Sequence, residues 1–231
     1  MMARRLLGAF LASALLALSL APAQAQDTPT EYAFDVTKIE LCGDSACSAA
    51  VVLGEGSQRF DLAAVGAGQT AGSFLSDFSL AANQTYTHLR VTHARAITMT
   101  ATAAAINSGN GDDCVTTGAG ILTASATTQA RSEVDTTGGA AAASQVFVVP
   151  DTTAANAPAG LADTYTAEGI VLLDATTMTI TKALTSPFTS GSSVPSIDAA
   201  FDVANTITFV QSAADACFAI LGPPSVTITI Q

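Results

Sequence analysis

Ser225-Val226-Thr227-Ile228-Thr229-Ile230 alternates polar and apolar side chains without a break, and a period of two is the mark of a strand with one dry and one wet face. Most of Thr85-Tyr86-Thr87-His88-Leu89-Arg90-Val91-Thr92 follows the same rule. In Tyr32-Ala33-Phe34-Asp35-Val36-Thr37-Lys38-Ile39-Glu40-Leu41, Phe34 and Val36 keep one phase and Ile39 and Leu41 another. A slip of one residue between them fits a β-bulge. Further strand candidates are Val51–Leu53, Arg59–Leu62, Ser73–Leu80, Ile97–Ala105, Gln145–Val149, Thr164–Leu173, Thr177–Leu184, Ile197–Asp202, Thr206–Gln211 and Ala216–Leu221. Many are rich in β-branched residues and are punctuated by Gly, Asn, Asp, Ser or Pro.

Short strands at this spacing, with no long 3.6-residue period, predict an all-β fold: an antiparallel β-sandwich of Ig-like or Greek-key type with long Ala/Thr/Gly-rich loops. Ala101–Ile106 and Ala140–Ser144 read as helical turns by composition. The stretch from Asn107 to Gly139 reads as loops around one weak strand, Ile121–Ala124, and residues 151–162 as another small-residue loop. Any sub-boundary of the domain spanning residues 26–231 therefore falls within 107–160.

The chain opens with Arg4 and Arg5, an apolar run from Leu6 to Leu20, and the exit Ala21-Pro22-Ala23-Gln24-Ala25. This is the make-up of a secretory signal peptide, residues 1–25, cleaved after Ala25. The run is short for the ~30 Å hydrocarbon core, and no later stretch reaches ~18 uninterrupted apolar residues, so no membrane span is expected after cleavage. Without Arg4 and Arg5, six of the eight Lys and Arg remain against 19 Asp and Glu, a formal charge of −13. Such a surface repels nucleic acid and anionic lipid, which need clustered Lys and Arg. The expected location is the periplasm or the extracellular space.

Cys42, Cys47, Cys114 and Cys217 are the four cysteines. An even count in an exported chain reads as two disulfides, with three possible pairings. The favoured one is Cys42–Cys47 with Cys114–Cys217, because Gly43-Asp44-Ser45-Ala46 is a turn between two strand-like runs. A metal site built from these Cys with His88 or His93 lacks the Cys-x₂-Cys knuckle.

Val36-Thr37-Lys38-Ile39-Glu40-Leu41, then Phe60-Asp61-Leu62-Ala63-Ala64-Val65, then Leu80-Ala81-Ala82-Asn83-Gln84-Thr85-Tyr86-Thr87-His88-Leu89-Arg90-Val91 form a recognisable series. The segment Tyr32–Thr98 resembles the exported bacterial domain of unknown function DUF4382. That family pairs an Asp-Leu-like strand with a Leu-x-Ala-Gly-x-Tyr-Thr-x-Ile-Arg-Leu signature. The resemblance covers about a third of the mature chain and departs at Asn83-Gln84, where the family carries Gly before the Tyr-Thr strand. It implies an envelope β-sandwich module and brings no catalytic residues.

Candidate sites are few. Tyr86, His88 and Arg90, two apart on one strand, read as a wet face or as a small polar ligand strip. Asn107, Asn110, Asp112 and Asp113 flank a Gly-flexed loop whose oxygens suit Ca²⁺, although the segment also reads as an Asx-rich turn. Ca²⁺ there is the one cofactor considered. Gly43-Asp44-Ser45 resembles the nucleophile context of serine hydrolases, but those place their Asp and His near the C-terminus, and here no His follows His93. His88 and His93, five apart, point to opposite faces of a regular strand. The Gly66–Gly72 stretch has no dinucleotide-binding spacing. These observations favour a non-enzymatic exported envelope or surface protein with a binding or structural role and an envelope or extracellular partner. One alternative is a pilus-like subunit assembling by strand donation through Tyr32–Leu41 and Ser225–Ile230. Another is a secreted hydrolase using spatially paired carboxylates, though Trp, the usual sugar platform, is absent.

Overall fold

The computed structural model describes residues 24–65, 78–107, 112–118, 132–134, 141–154, 157, 159–191, 196–213 and 216–230. Ala23 and everything before it, residues 73–77 of the expected strand Ser73–Leu80, and Ile121–Ala124 lie outside the described residues, and 78–80 form no strand. The fold is an all-β sandwich of antiparallel sheets packed against each other.

One layer is a seven-stranded sheet. Its strands are β2 (Glu31–Cys42), β3 (Ala50–Asp61), β4 (Thr85–Ala94), β5 (Ala96–Thr100), β9 (Gln145–Val148), β10 (Ile170–Leu172) and β11 (Thr177–Thr189). They run in the order β10-β11-β4-β2-β5-β9, with β3 on the other edge of β2. Opposite lies a four-stranded sheet, β1-β13-β14-β8, formed by Gln24–Asp27, Ile207–Ala213, Ala216–Leu221 and Ser132–Val134. Two ribbons complete the described strands: β12 (Ile197–Asp202) with β15 (Ser225–Ile230), and β6 (Thr102–Asn107) with β7 (Asp112–Val115).

Alternation becomes burial. Tyr32, Phe34 and Val36 of β2 join Met99, Phe147, Met178, Ile207, Phe209 and Ala219 in one core between the two large sheets. A second core gathers Leu41, Leu53, Tyr86, Leu89, Leu184 and Ile228, so the β12–β15 ribbon covers the far end of the seven-stranded sheet. The slip read in β2 is real: its register shifts between Val36 and Lys38 against both β3 and β4. The extra residue lets both halves of a twelve-residue strand face inward.

Several local features depart from the sequence reading. Val51–Leu53 and Arg59–Leu62 are two ends of one strand, β3, which runs through Gly54 and Gly56 because β2 pairs along its whole length. Ala101–Ile106 is mostly strand, and residues 141–144, the described part of the expected Ala140–Ser144 turn, are not helical. The expected strand Thr164–Leu173 is instead helix α1 (Leu161–Glu168) followed by β10. Gly160 and Gly169, both left-handed, bound the helix, and the Gly169 N–H closes onto Thr166 and Tyr165 carbonyls. A side chain at Gly169 would strike the Thr181 backbone carbonyl, so only glycine fits where the helix turns into the sheet. At the Asn83 turn, Asn83 takes φ 62°, which Asn tolerates. Ser190 locks that turn, its hydroxyl donating to the Ala81 carbonyl and its N–H to the Gln84 carbonyl.

Arg95 stands where β4 gives way to β5. Its side chain is 2% exposed. Nε and Nη2 donate to the Val149 carbonyl at 2.9 and 2.7 Å, and Nη1 donates to the Asp174 carbonyl at 2.7 Å. Asp151 Oδ2 lies 3.7 Å away. Asp174 in turn caps the β10–β11 turn, accepting from the Thr176 and Thr177 backbone N–H groups and hydroxyls. Replacing Arg95 with Met is expected to cost about 3 kcal/mol, because it strands the buried Val149 carbonyl and the part-buried Asp174 carbonyl, which accept charge-assisted bonds. Urea unfolding of the mature protein checks this, and a loss under about 1 kcal/mol, the range of an ordinary surface change, would contradict it.

Candidate functional site

Three charged side chains meet on the outer face of the seven-stranded sheet. Glu40 on β2 and Arg90 on β4 are directly opposed. Arg90 Nε donates to Glu40 Oε2 at 2.7 Å, and Lys38 Nζ lies 3.3 Å from Glu40 Oε1. The Glu40 side chain is only 6% exposed. Burial pushes its carboxyl up, but the hydrogen bond and charge of Arg90, with Lys38, more than offset this and hold it below the usual glutamate range. The hydrogen bond to Glu40 likewise raises Arg90, against its own desolvation.

Of the expected strip, His88 and Arg90 share this face and Tyr86 does not. Tyr86 is 4% exposed and lies in the second core, stacked on Phe188 with ring centroids 6.4 Å apart. The reason is a bulge: β11 slips against β4 between Ala183 and Phe188, so Tyr86 and Leu89, three apart, both turn inward. Pro187 sits in the slipped segment, where a residue without an N–H costs no ladder bond. His88 Nδ1 and the Thr87 hydroxyl are 2.8 Å apart, and that hydroxyl donates to the Gly43 carbonyl. With the hydroxyl proton committed, Nδ1 carries the imidazole proton.

The proposed Ca²⁺ loop is described only in part. Asn107 and Asp112 are opposed at the end of the β6–β7 ribbon, Asp113 is half-buried beside them, and Asn110 lies outside the described residues. Among the described residues no group of three or more His, Cys, Asp or Glu could hold a metal ion. Cys42 and Cys47 form a disulfide with Cα atoms 4.9 Å apart, closing the β2–β3 turn, where Asp44 accepts from the Ser48 N–H and hydroxyl. Cys114 is fully buried and disulfide-bonded, while the side chain of Cys217 lies outside the described residues.

His93 is the polar residue that sequence reading left without a role. It is 2% exposed and faces inward, its ring 4.7 Å from Phe34. Nδ1 bonds the Ala94 carbonyl at 2.8 Å, and Nε2 is buried without a partner. Burial, only partly opposed by the Ala94 bond, pushes its pKa down to about 4. Alternation puts His93 in phase with the apolar Leu89 and Val91, and Val36 and Met178, its cross-strand neighbours, keep it facing inward.

A comparison of the chain with protein-family models, with curated proteins and with solved structures finds no match. The fold and these residues define the class: an antiparallel β-sandwich in which charged side chains are engaged by the fold itself. Among the described residues no helix is long and apolar enough to cross a membrane.

Two outcomes follow for the isolated protein. His93 is neutral when folded, and its folded pKa lies below the unfolded value. Its contribution is therefore fully present above about pH 6.5 and is lost as pH falls through that value towards about 4. The loss should reach about 3 kcal/mol relative to a His93→Leu variant, read by urea unfolding at pH 7 and pH 4. Parallel pH curves for the two proteins would contradict it. Peptide mapping without reductant should recover a Cys42–Cys47 bridge and a Cys114–Cys217 cross-link, and any other partner for Cys114 refutes the pairing.

Proposed function

We propose that this is a non-enzymatic exported protein of the cell envelope or cell surface, with a binding or structural role of the kind implied by its resemblance to DUF4382. One observation carries the reading. Lys38, Arg59, Arg90, Arg95 and Lys182 are all ion-paired to carboxylates of the same chain, with Glu40, Glu31, Asp151 and Glu168 as partners. The only other cation beyond Arg5 is Arg131, outside the described residues. Two further carboxylates are likewise engaged. Asp61 accepts from the Tyr32, Ala63 and Ala64 N–H groups, and Asp174 caps a turn. A chain that binds its own charges this way presents an acidic, hydroxyl-rich surface suited to a protein neighbour or to a solvated layer.

Strand donation through Tyr32–Leu41 is the less supported alternative. β2 is hydrogen-bonded on both edges, by β3 and by β4 and β5, so donating it would dismantle the centre of the larger sheet.

Fractionation of the native host with an antibody to the chain tests the reading. The protein is expected outside the cytoplasm, with its thiols oxidised and silent against a hydrolase and glycosidase panel. A cytoplasmic protein with four free thiols, or turnover abolished by replacing a single carboxylate, overturns it.

A further inference from the structure

The two ring nitrogens of His93 are in different states. The side chain is buried, and Nδ1 bonds the Ala94 carbonyl at 2.8 Å, so Nδ1 carries the proton. Nε2 therefore presents a bare lone pair, and among the described residues it has no hydrogen-bond partner. Burial keeps the ring neutral at pH 7, with its pKa pushed down to about 4. A metal then displaces no proton from it. An imidazole fixed through Nδ1 to a backbone carbonyl, with Nε2 unprotonated, is the usual arrangement of a metal-ligating histidine.

Register supplies a second donor. Met178 on β11 is directly opposed to His93 on β4 and is buried in the main core. Residues opposed in this way have Cβ atoms about 4.5–5.5 Å apart. The Met178 thioether is unbranched and turns about three bonds, so its sulfur can reach an ion held on Nε2. The other core methionine, Met99, is opposed to Tyr32 instead. Neutral imidazole and thioether are soft donors that favour Cu(I), an ion satisfied by two ligands, over the hard divalent ions that carboxylates hold. The Phe34 ring, 4.7 Å from the imidazole, adds an electron-rich face beside a buried monovalent cation. The neighbouring Arg95 guanidinium is engaged by the Val149 and Asp174 carbonyls and by Asp151. His93 is the penultimate residue of β4 and Met178 the second of β11. The pair thus lies at the rim of the sheet, beside the exposed turn at residues 173–176 that gives the short way in from solvent.

We infer that His93 Nε2 and Met178 Sδ form a Cu(I) site inside the sandwich, at the rim of the seven-stranded sheet. The site goes beyond the envelope role proposed above and stands apart from it, since both donors belong to the core. The protein isolated from its host is titrated anaerobically with Cu(I) against bicinchoninate, a coloured Cu(I) chelator. Ascorbate keeps the copper reduced and leaves disulfides intact, so thiols do not compete. The protein is expected to withdraw one equivalent of Cu(I), and X-ray absorption to show nitrogen and sulfur neighbours around the copper. Met178→Leu, which conserves volume, and His93→Leu are each expected to weaken binding about tenfold or more, at least the cost of losing an outer-shell partner. Met99→Leu is expected to bind as the wild type does. Failure of the wild type to withdraw copper overturns the inference, and so does binding that survives both Met178→Leu and His93→Leu. Binding lost from Met99→Leu but kept by Met178→Leu overturns it as well. If a variant fails to fold, judged by urea unfolding, the wild-type X-ray spectrum decides, and copper without a sulfur neighbour refutes the site. None of these results bears on where the protein resides.

Discussion

A guanidinium group buried at a strand corner holds this sandwich in register. Taking Arg95 out of water costs several kcal/mol, and among the described residues no carboxylate comes within direct hydrogen-bonding distance to offset it, since Asp151 stays 3.7 Å away. Carbonyl oxygens compensate instead, two bonds to Val149 and one to Asp174. The backbone at the same residue is engaged as well: the Arg95 N–H donates to the Thr176 carbonyl and its carbonyl accepts from Val149. One residue thus ties the β4–β5 corner to the exit of β9 and to the β10–β11 turn, three segments far apart in sequence. The β10–β11 turn then aligns β11, and β11 aligns β4 along the face that carries Glu40 and Arg90.

The polar groups form a hierarchy that follows from burial. On the outer face, Glu40 is nearly buried yet stays ionised because two cations hold it, so it fixes the β2–β4 register as well as lowering its own pKa. On the inner face, His93 has no such partner and stays neutral. The two respond to acid in the same direction but over different ranges. The histidine weakens as pH drops below its unfolded value, and the glutamate only below the ordinary carboxylate range. The inner-face histidine therefore loses its contribution at a higher pH than the β2–β4 ion pair does.

Fold class was legible because period two survives in almost every strand, and even the β2 bulge is written as a phase change between Val36 and Ile39. What sequence could not carry was tertiary override. Thr164–Leu173 is rich in residues suited to strands, but two left-handed glycines bracket part of it into a helix. Gly54 and Gly56 look like a break in β3, yet pairing with β2 bridges them. Tyr86 obeys alternation with His88 and Arg90 on paper. The slip opposite Pro187 turns it into the core, and a bulge in the partner strand leaves no mark on the strand it redirects. The charged pairs were invisible for the same reason: Glu40 and Arg90 lie fifty residues apart in sequence and meet only through register.

These pairings also bear on what the surface can do. A chain with a formal charge of −11 can keep its few cations free for an anionic partner or can use them to fasten its own strands. Here each Lys and Arg in the described residues is fastened, two of them on one glutamate. The excess of Asp and Glu is then left to face water, and with it go threonine hydroxyls such as those of Thr85 and Thr189, which bond each other across exposed strands. A surface of that kind is repelled by other polyanions at long range and holds a hydration layer at short range.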